Sequence, residues 1–214
     1  MSKISDSDLL VLQALRVRGF VDTEAVAEAV GLSQEDSLNM LSQFAEEGMA
    51  SYREGRMVGW MITPEGRSYG ERLLANEVDN LGIRPEIETA YKEFSQLNDD
   101  FKELCTDWQL KPPSDGSERE QVLNDHSDPD YDKGVIDRLV ELDKQTQPMC
   151  ASLAEQLERF SSYGSRFTYA LEMVLKGDTD WIAKPMMESY HTVWFELHEN
   201  FFSTLGIDRA SEST

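Results

Sequence analysis

Over the first fifty positions apolar residues recur every three or four places and are interrupted by glycine. In "SDSDLLVLQALRVRGF" Leu9, Leu12 and Leu15 share a helical face, with Val11 beside them. Ser5 or Ser7 can cap the start of this run, and Arg16 and Arg18 stand before Gly19, where cations suit a helix C-terminus. "VDTEAVAEAVGL" offers Asp22 or Thr23 as a cap, an Ala/Val face at Ala25, Val26, Ala29 and Val30, and a stop at Gly31. Ser33 then caps a third run, in which Leu38, Leu41, Phe44 and Ala45 keep helical spacing up to Gly48. Two short helices joined by "VGLS" predict a helix-turn-helix unit.

Past Gly48 the period changes. "MASYR" and "MVGWMI" are short runs of strand formers, and the "EGR" between them supplies Gly55 for a tight turn, so a β-hairpin is expected. Thr63 as cap, Pro64 at the first helical position and Glu65 in the first turn then open another helix. From Pro85 onward Ile87, Ala90, Phe94, Leu97, Phe101, Leu104 and Trp108 alternate spacings of three and four, which predicts a long helix.

A Pro-, Gly-, Ser- and Asp-rich stretch follows and reads as an acidic loop over about residues 111–131, with one short helical turn expected around Gln121 to Leu123. Helical spacing resumes through Val135, Leu139, Leu142, Met149, Leu153, Leu157 and Phe160, then Phe167, Leu171 and Val174, and Pro148 is expected to kink or divide this run. After Gly177 and Asp178, Met187, Tyr190, Trp194, Leu197 and Phe201 form a broad aromatic stripe, widened by Phe195 and Phe202. That excess of apolar width points to a dimer interface or a pocket. No strand pattern is visible in this part, so an antiparallel helical bundle is expected.

The expected organisation is mainly α, with a first domain over 1–80 and a helical domain over 81–208 that oligomerises or binds a ligand. No run approaches the ~18 apolar residues that span a bilayer. The N-terminus lacks the basic-then-apolar order of a signal peptide, so a cytoplasmic location without membrane attachment is expected. Cys105 and Cys150 fall singly within apolar helical patterns, which favours buried free thiols.

Charge changes the picture. The 214 residues carry 41 acids and 20 bases, a formal net charge of −21, which repels polyanions except at local sites. Residues 1–78 hold 7 bases and 13 acids (−6), against 13 and 28 (−15) in the remainder. A polyanion site is therefore expected in the N-terminal part.

"GLS" entering the third helix, "AEEGMAS" leaving it and "GWMITPEGRSYGERL" after the hairpin carry a resemblance. Residues 6–78 resemble the winged helix-turn-helix domain of MarR-type bacterial transcriptional regulators. The resemblance implies a DNA-binding regulator that acts as a homodimer on double-stranded DNA and inserts its third helix into the major groove. Set against the family pattern, Asn39, Ser42 and Gln43 stand where Arg or Lys is often found, and Glu47 stands where Lys often precedes the glycine. Leu38 takes a position that is usually polar and faces the groove.

Gln34, Asn39 and Gln43 can still hydrogen-bond to adenine edges, while phosphate contacts fall to Arg53, Arg56 and Arg67. The alternative is an acidic adaptor subunit that docks a protein partner through Leu38 on the same helix. That reading is favoured by the absence of bases from "SQEDSLNMLSQFAEEG".

Candidates for catalysis are sparse. No nucleophile elbow and no phosphate-binding glycine loop occurs, so neither an enzyme nor a cofactor is expected. Glu188, His191 and His198 lie at helical spacings and offer a single Glu-x-x-His, whereas carboxylate-bridged dimetal bundles use such a motif on each of two helices. The layout also resembles regulators whose helical domain binds metal through an Asp-x-x-x-His pair, but that pair is missing and His126 lies in the acidic loop. "NDHSDPDYD" lacks the spacing, central glycine and terminal glutamate of a calcium loop.

Overall fold

A computed structural model of the chain describes residues 3–55, 58–113 and 121–208. Helix α1 (Ser7–Arg18) starts where the Asp6 carboxylate accepts from the Asp8 N–H, so the cap is Asp6 rather than Ser5 or Ser7. Ser5 is instead buried and accepts from the Arg159 guanidinium. Asp22 caps α2 (Thr23–Val30), which ends at Gly31 in the left-handed conformation, and Ser33 caps α3 (Gln34–Glu46). Strands β1 (Ala50–Arg53) and β2 (Gly59–Ile62) pair antiparallel, with Ala50 opposite Ile62 and Arg53 opposite Gly59. The Thr63 hydroxyl accepts from the Gly66 N–H and donates to the Gly48 carbonyl, setting the start of α4 (Pro64–Leu81). Gly66 lies so near the Met49 carbonyl oxygen that a Cβ there would collide with it.

The chain is mainly helical beyond this point: α5 (Arg84–Gln109), α6 (Pro129–Gln156), a 3₁₀ turn (Glu158–Phe160), α7 (Ser162–Leu175), the short α8 (Asp180–Ala183) and α9 (Tyr190–Leu205). Every residue of the predicted α5 stripe, from Ile87 to Trp108, is buried. No helix among the described residues is long and apolar enough to cross a membrane.

Three local expectations are corrected. Val122–Leu123 is not a helical turn but a two-residue strand, β4, paired antiparallel with β3 (Leu110–Lys111). Backbone donors and acceptors just past the α5 terminus are thereby satisfied by a ladder, and the C-terminal part does contain strand. Pro148 does not divide its run, because α6 continues through it. The missing N–H leaves the Lys144 carbonyl without a helical partner, yet Pro148 and Lys144 are both exposed and water can satisfy that oxygen. The run breaks later, at Leu157, where an N-terminal segment pairs with it: Lys3 N–H donates to the Gln156 carbonyl and Glu158 N–H to the Lys3 carbonyl.

The fold comprises two compact units. The first draws on the described residues of Met1–Glu88, Ala154–Phe160 and Trp194–Thr214. Its core joins Val11, Leu12 and Leu15 to Val26, Leu41, Phe44 and Trp60. Buried polar groups accompany it. Gln13 donates to Asn200 Oδ1 (2.9 Å) and Ser203 Oγ (2.7 Å), and Arg16 bridges Glu199 (2.8 Å) and Glu71 (2.6 Å). Arg159 pairs with Glu77, donates to Thr204 and lies over the Phe160 ring.

The second unit comprises Thr89–Leu153 and Ser161–Val193. Tyr190 packs against Phe167 and Phe101, with centroids at 4.7 and 5.7 Å, and its hydroxyl donates to buried Asp143 at 3.1 Å. Gln147 donates to the same carboxylate and to the Gly164 carbonyl. In the acidic segment, Asn124 donates to the Trp108 carbonyl and to Asp132, His126 stacks on Trp108, and Lys111 pairs with Asp125. These bonds tie the loop to the end of α5. Cys105 and Cys150 are free thiols, and burial pushes both up to about 12.

Candidate functional site

The α2–α3 pair and the hairpin both belong to the first unit. Gly31, with φ +69°, turns the chain between the two helices, and Leu32 N–H closes the turn on the Ala27 carbonyl. Ser33 Oγ accepts from Asp36 N–H at 3.0 Å and donates to the Asp36 carboxylate at 2.7 Å, a reciprocal clasp at the start of α3. Ser37, Leu41 and Phe44 face the core; Leu38, Asn39, Ser42 and Gln43 are exposed along the helix, and Gln34 is exposed at its first position. All three proposed base-reading residues are therefore exposed. Gln43 donates to Glu47 at 2.9 Å and Ser42 to the Leu38 carbonyl at 2.7 Å. Leu38 is 47% exposed, an apolar side chain among Glu35, Asp36, Glu46 and Glu47 on a helix without a cation.

The hairpin is pinned, which the hydrophobic pattern did not reveal. Val21, between α1 and α2, forms an antiparallel bridge with Trp60: Val21 N–H donates to the Trp60 carbonyl at 3.2 Å and Trp60 N–H returns to Val21 at 2.7 Å. The Trp60 indole N–H reaches Thr23 Oγ1 at 3.1 Å, and Tyr52 packs on the Trp60 ring at 5.0 Å. Gly59 fits because a Cβ there would meet the Val21 carbonyl at 2.8 Å.

Arg53 at the end of β1 and Arg67 in the first turn of α4 are exposed, and neither guanidinium has a hydrogen-bond or ion-pair partner among the described residues. Arg56 lies outside the described residues. The other described cations of this unit have partners: Arg18 the Ala25 carbonyl, Arg72 the Tyr69 ring, Arg84 Asp79, Arg16 and Arg159 carboxylates, and Lys3 the Leu81 carbonyl. Arg16, which reads in the sequence as a helix-end cation, is in fact held by Glu199, 183 positions away. No local signal marks that partner.

The residues singled out for metal binding are placed differently. Glu188 accepts from Arg166 at 2.8 and 2.7 Å, His191 packs near Phe101, and His198 stacks on Phe202 at 4.2 Å. Burial lowers the His191 pKa, favouring the neutral ring. Among the described residues no group of three or more His, Cys, Asp or Glu side chains could hold a metal ion. In comparisons with known proteins, no family model, curated protein or solved structure matches the chain.

Proposed function

We propose that the first unit is a winged helix that binds duplex DNA, and that the chain acts as a homodimeric transcriptional regulator whose C-terminal helices serve dimerisation or effector binding. The observation that carries this reading is the Val21–Trp60 bridge. It holds the hairpin to the loop ahead of α2, beside the α2–α3 pair, while the outer residues of α3 stay exposed. In this reading Gln34, Asn39 and Gln43 contact base edges in the major groove, and Gln43 exchanges its bond to Glu47 for a base. Arg53 and Arg67, whose guanidinium groups have no partner among the described residues, take phosphates, joined by Arg56. With a net charge of −21, attraction to DNA acts only at close range.

A gel-retardation series on the DNA upstream of the protein's own coding region tests this. Retardation at low salt with a shallow salt dependence is expected, since each phosphate contact contributes about 0.9 to the logarithmic slope. Absence of retardation at the lowest salt would end the regulator reading.

A second reading, docking of a protein partner, is favoured by one observation: Leu38 stands exposed on a helix that carries acidic residues and no base. Leu38→Glu separates the two. It abolishes capture of a stoichiometric protein partner under the docking reading, whereas Arg53→Ala leaves that capture intact and weakens DNA binding under the first.

A further inference from the structure

A cleft of about 400 Å³ opens in the first unit, lined by Arg16, Arg67, Glu71 and Glu199, with Phe202 and Ile207 as its apolar wall and Asp208 beside them. Arg16 is nine-tenths buried and spends Nε on Glu199 and Nη1 on Glu71. A guanidinium carries five N–H groups, and the Arg16 Nη2 amino group makes no hydrogen bond among the described residues, although it is not sealed from solvent. Arg67 has no side-chain partner among those residues. Two guanidinium groups with unused donors thus line one cleft, an arrangement that takes a carboxylate. Glu71 supplies the complementary feature: its side chain is 45% exposed and its second oxygen accepts no hydrogen bond among the described residues.

The formal charges of the lining are two positive and three negative. A simple anion is therefore opposed by the net charge, and a simple cation leaves the arginine donors unused. A molecule bearing both charges satisfies each group, and an apolar substituent fits against Phe202 and Ile207. We propose that this cleft binds a small zwitterion of the α-amino-acid class, its carboxylate on Arg16 Nη2 and Arg67 and its ammonium on Glu71. Arg67 is also one of the phosphate contacts assigned above, so the bound ligand draws that cation away from DNA; this consequence alone rests on the regulator reading.

Calorimetric titration of the full-length protein with each standard L-α-amino acid in turn tests the site, with acetate and ethylammonium as the two half-ligands. At least one amino acid is expected to bind at roughly millimolar concentration or below, and each half-ligand about tenfold more weakly. Arg67→Ala lowers that affinity about tenfold while Arg67→Lys retains part of it, because the charge survives without the planar fork. Arg67 is exposed, so an unchanged melting temperature is expected to confirm that either variant is folded. The proposal is overturned if no amino acid produces heat of binding, if acetate alone binds as well as the best amino acid, or if Arg67→Ala binds like the parent. Calorimetry needs no DNA, so a failed gel retardation alongside intact amino-acid binding overturns the regulator reading and leaves the site standing.

Discussion

The two units handle buried polarity in opposite ways. The first submerges full charges in opposed pairs, Arg159 with Glu77 and Arg16 with Glu199, and Arg16 also reaches the half-exposed Glu71. The second buries a carboxylate, Asp143, on neutral donors, the Tyr190 hydroxyl and the Gln147 amide. The ion pairs join stretches up to 183 positions apart, and a wrong partner would strand a charge in a desolvated place. They specify which distant segments belong together. Asp143 and Gln147 sit one turn apart on α6, so their bond mainly orients a carboxylate within a helix that is already fixed.

This contrast predicts an order of effects. Arg159→Ala strands the Glu77 carboxylate, 11% exposed, and is expected to cost about 3–5 kcal/mol in urea unfolding. Replacing both partners, as in Arg159→Met with Glu77→Leu, should recover most of that loss. A loss well below 1 kcal/mol in the single variant would break the contrast.

Tyr190→Phe comes next. It removes one neutral donor from Asp143 at an expected cost of about 1–3 kcal/mol. The same variant has a pH signature. Burial first, then the Asp143 charge, hold the Tyr190 hydroxyl well above its ordinary value. Its protonated form is therefore favoured by folding. That contribution is complete below the unfolded value of about 10 and is lost as pH rises beyond it. Urea midpoints measured across the alkaline range should fall less steeply in Tyr190→Phe than in the parent.

Ser37 sharpens the comparison from a third side. Its hydroxyl is buried in α3 without a hydrogen-bond partner among the described residues, so Ser37→Ala is expected to raise stability by up to about 1 kcal/mol. Thermal unfolding checks the sign. The smallest effect on stability belongs to Arg53→Ala, within about 0.5 kcal/mol because the side chain is exposed. Under the proposed regulator function its effect surfaces elsewhere, as a salt slope of DNA binding reduced by about one.

The elements that sequence periodicity captured are those whose determinants are local. The α5 stripe, the Gly31 and Gly48 stops, the Gly55 hairpin and the Thr63–Pro64 helix start all depend on neighbours within a few positions. What it missed was long-range or conditional. Val21 reads as an ordinary residue before a helix cap, and only folding brings Trp60 to it. Of the two outcomes expected at Pro148, a kink or a division, the division does not occur, because α6 continues through it with the freed carbonyl open to solvent. Val122 and Leu123 find strand geometry only because Leu110 and Lys111 emerge beside them. At the site, the exposure of Asn39 and Gln43 follows from the spacing of Leu41 and Phe44, whereas Gln34 and Leu38 fall at apolar spacing and their exposure does not. That Arg16 is held by Glu199 and Glu71 while Arg67 is open depends on α9 and α4, and periodicity along one helix carries no trace of it.

Gly66 bears on how this chain can diverge. Because the Met49 carbonyl occupies the space where a Cβ would go, mutation can rewrite the solvent-facing letters of α4 while this one stays fixed. A descendant that acquires even alanine there must move the start of β1 or the axis of α4, and with it the attitude of the hairpin. Position 66 is thus a fingerprint with a steric cause: in a distant relative too altered to align, glycine three residues beyond the helix-capping threonine would report that hairpin and helix still meet in the same way.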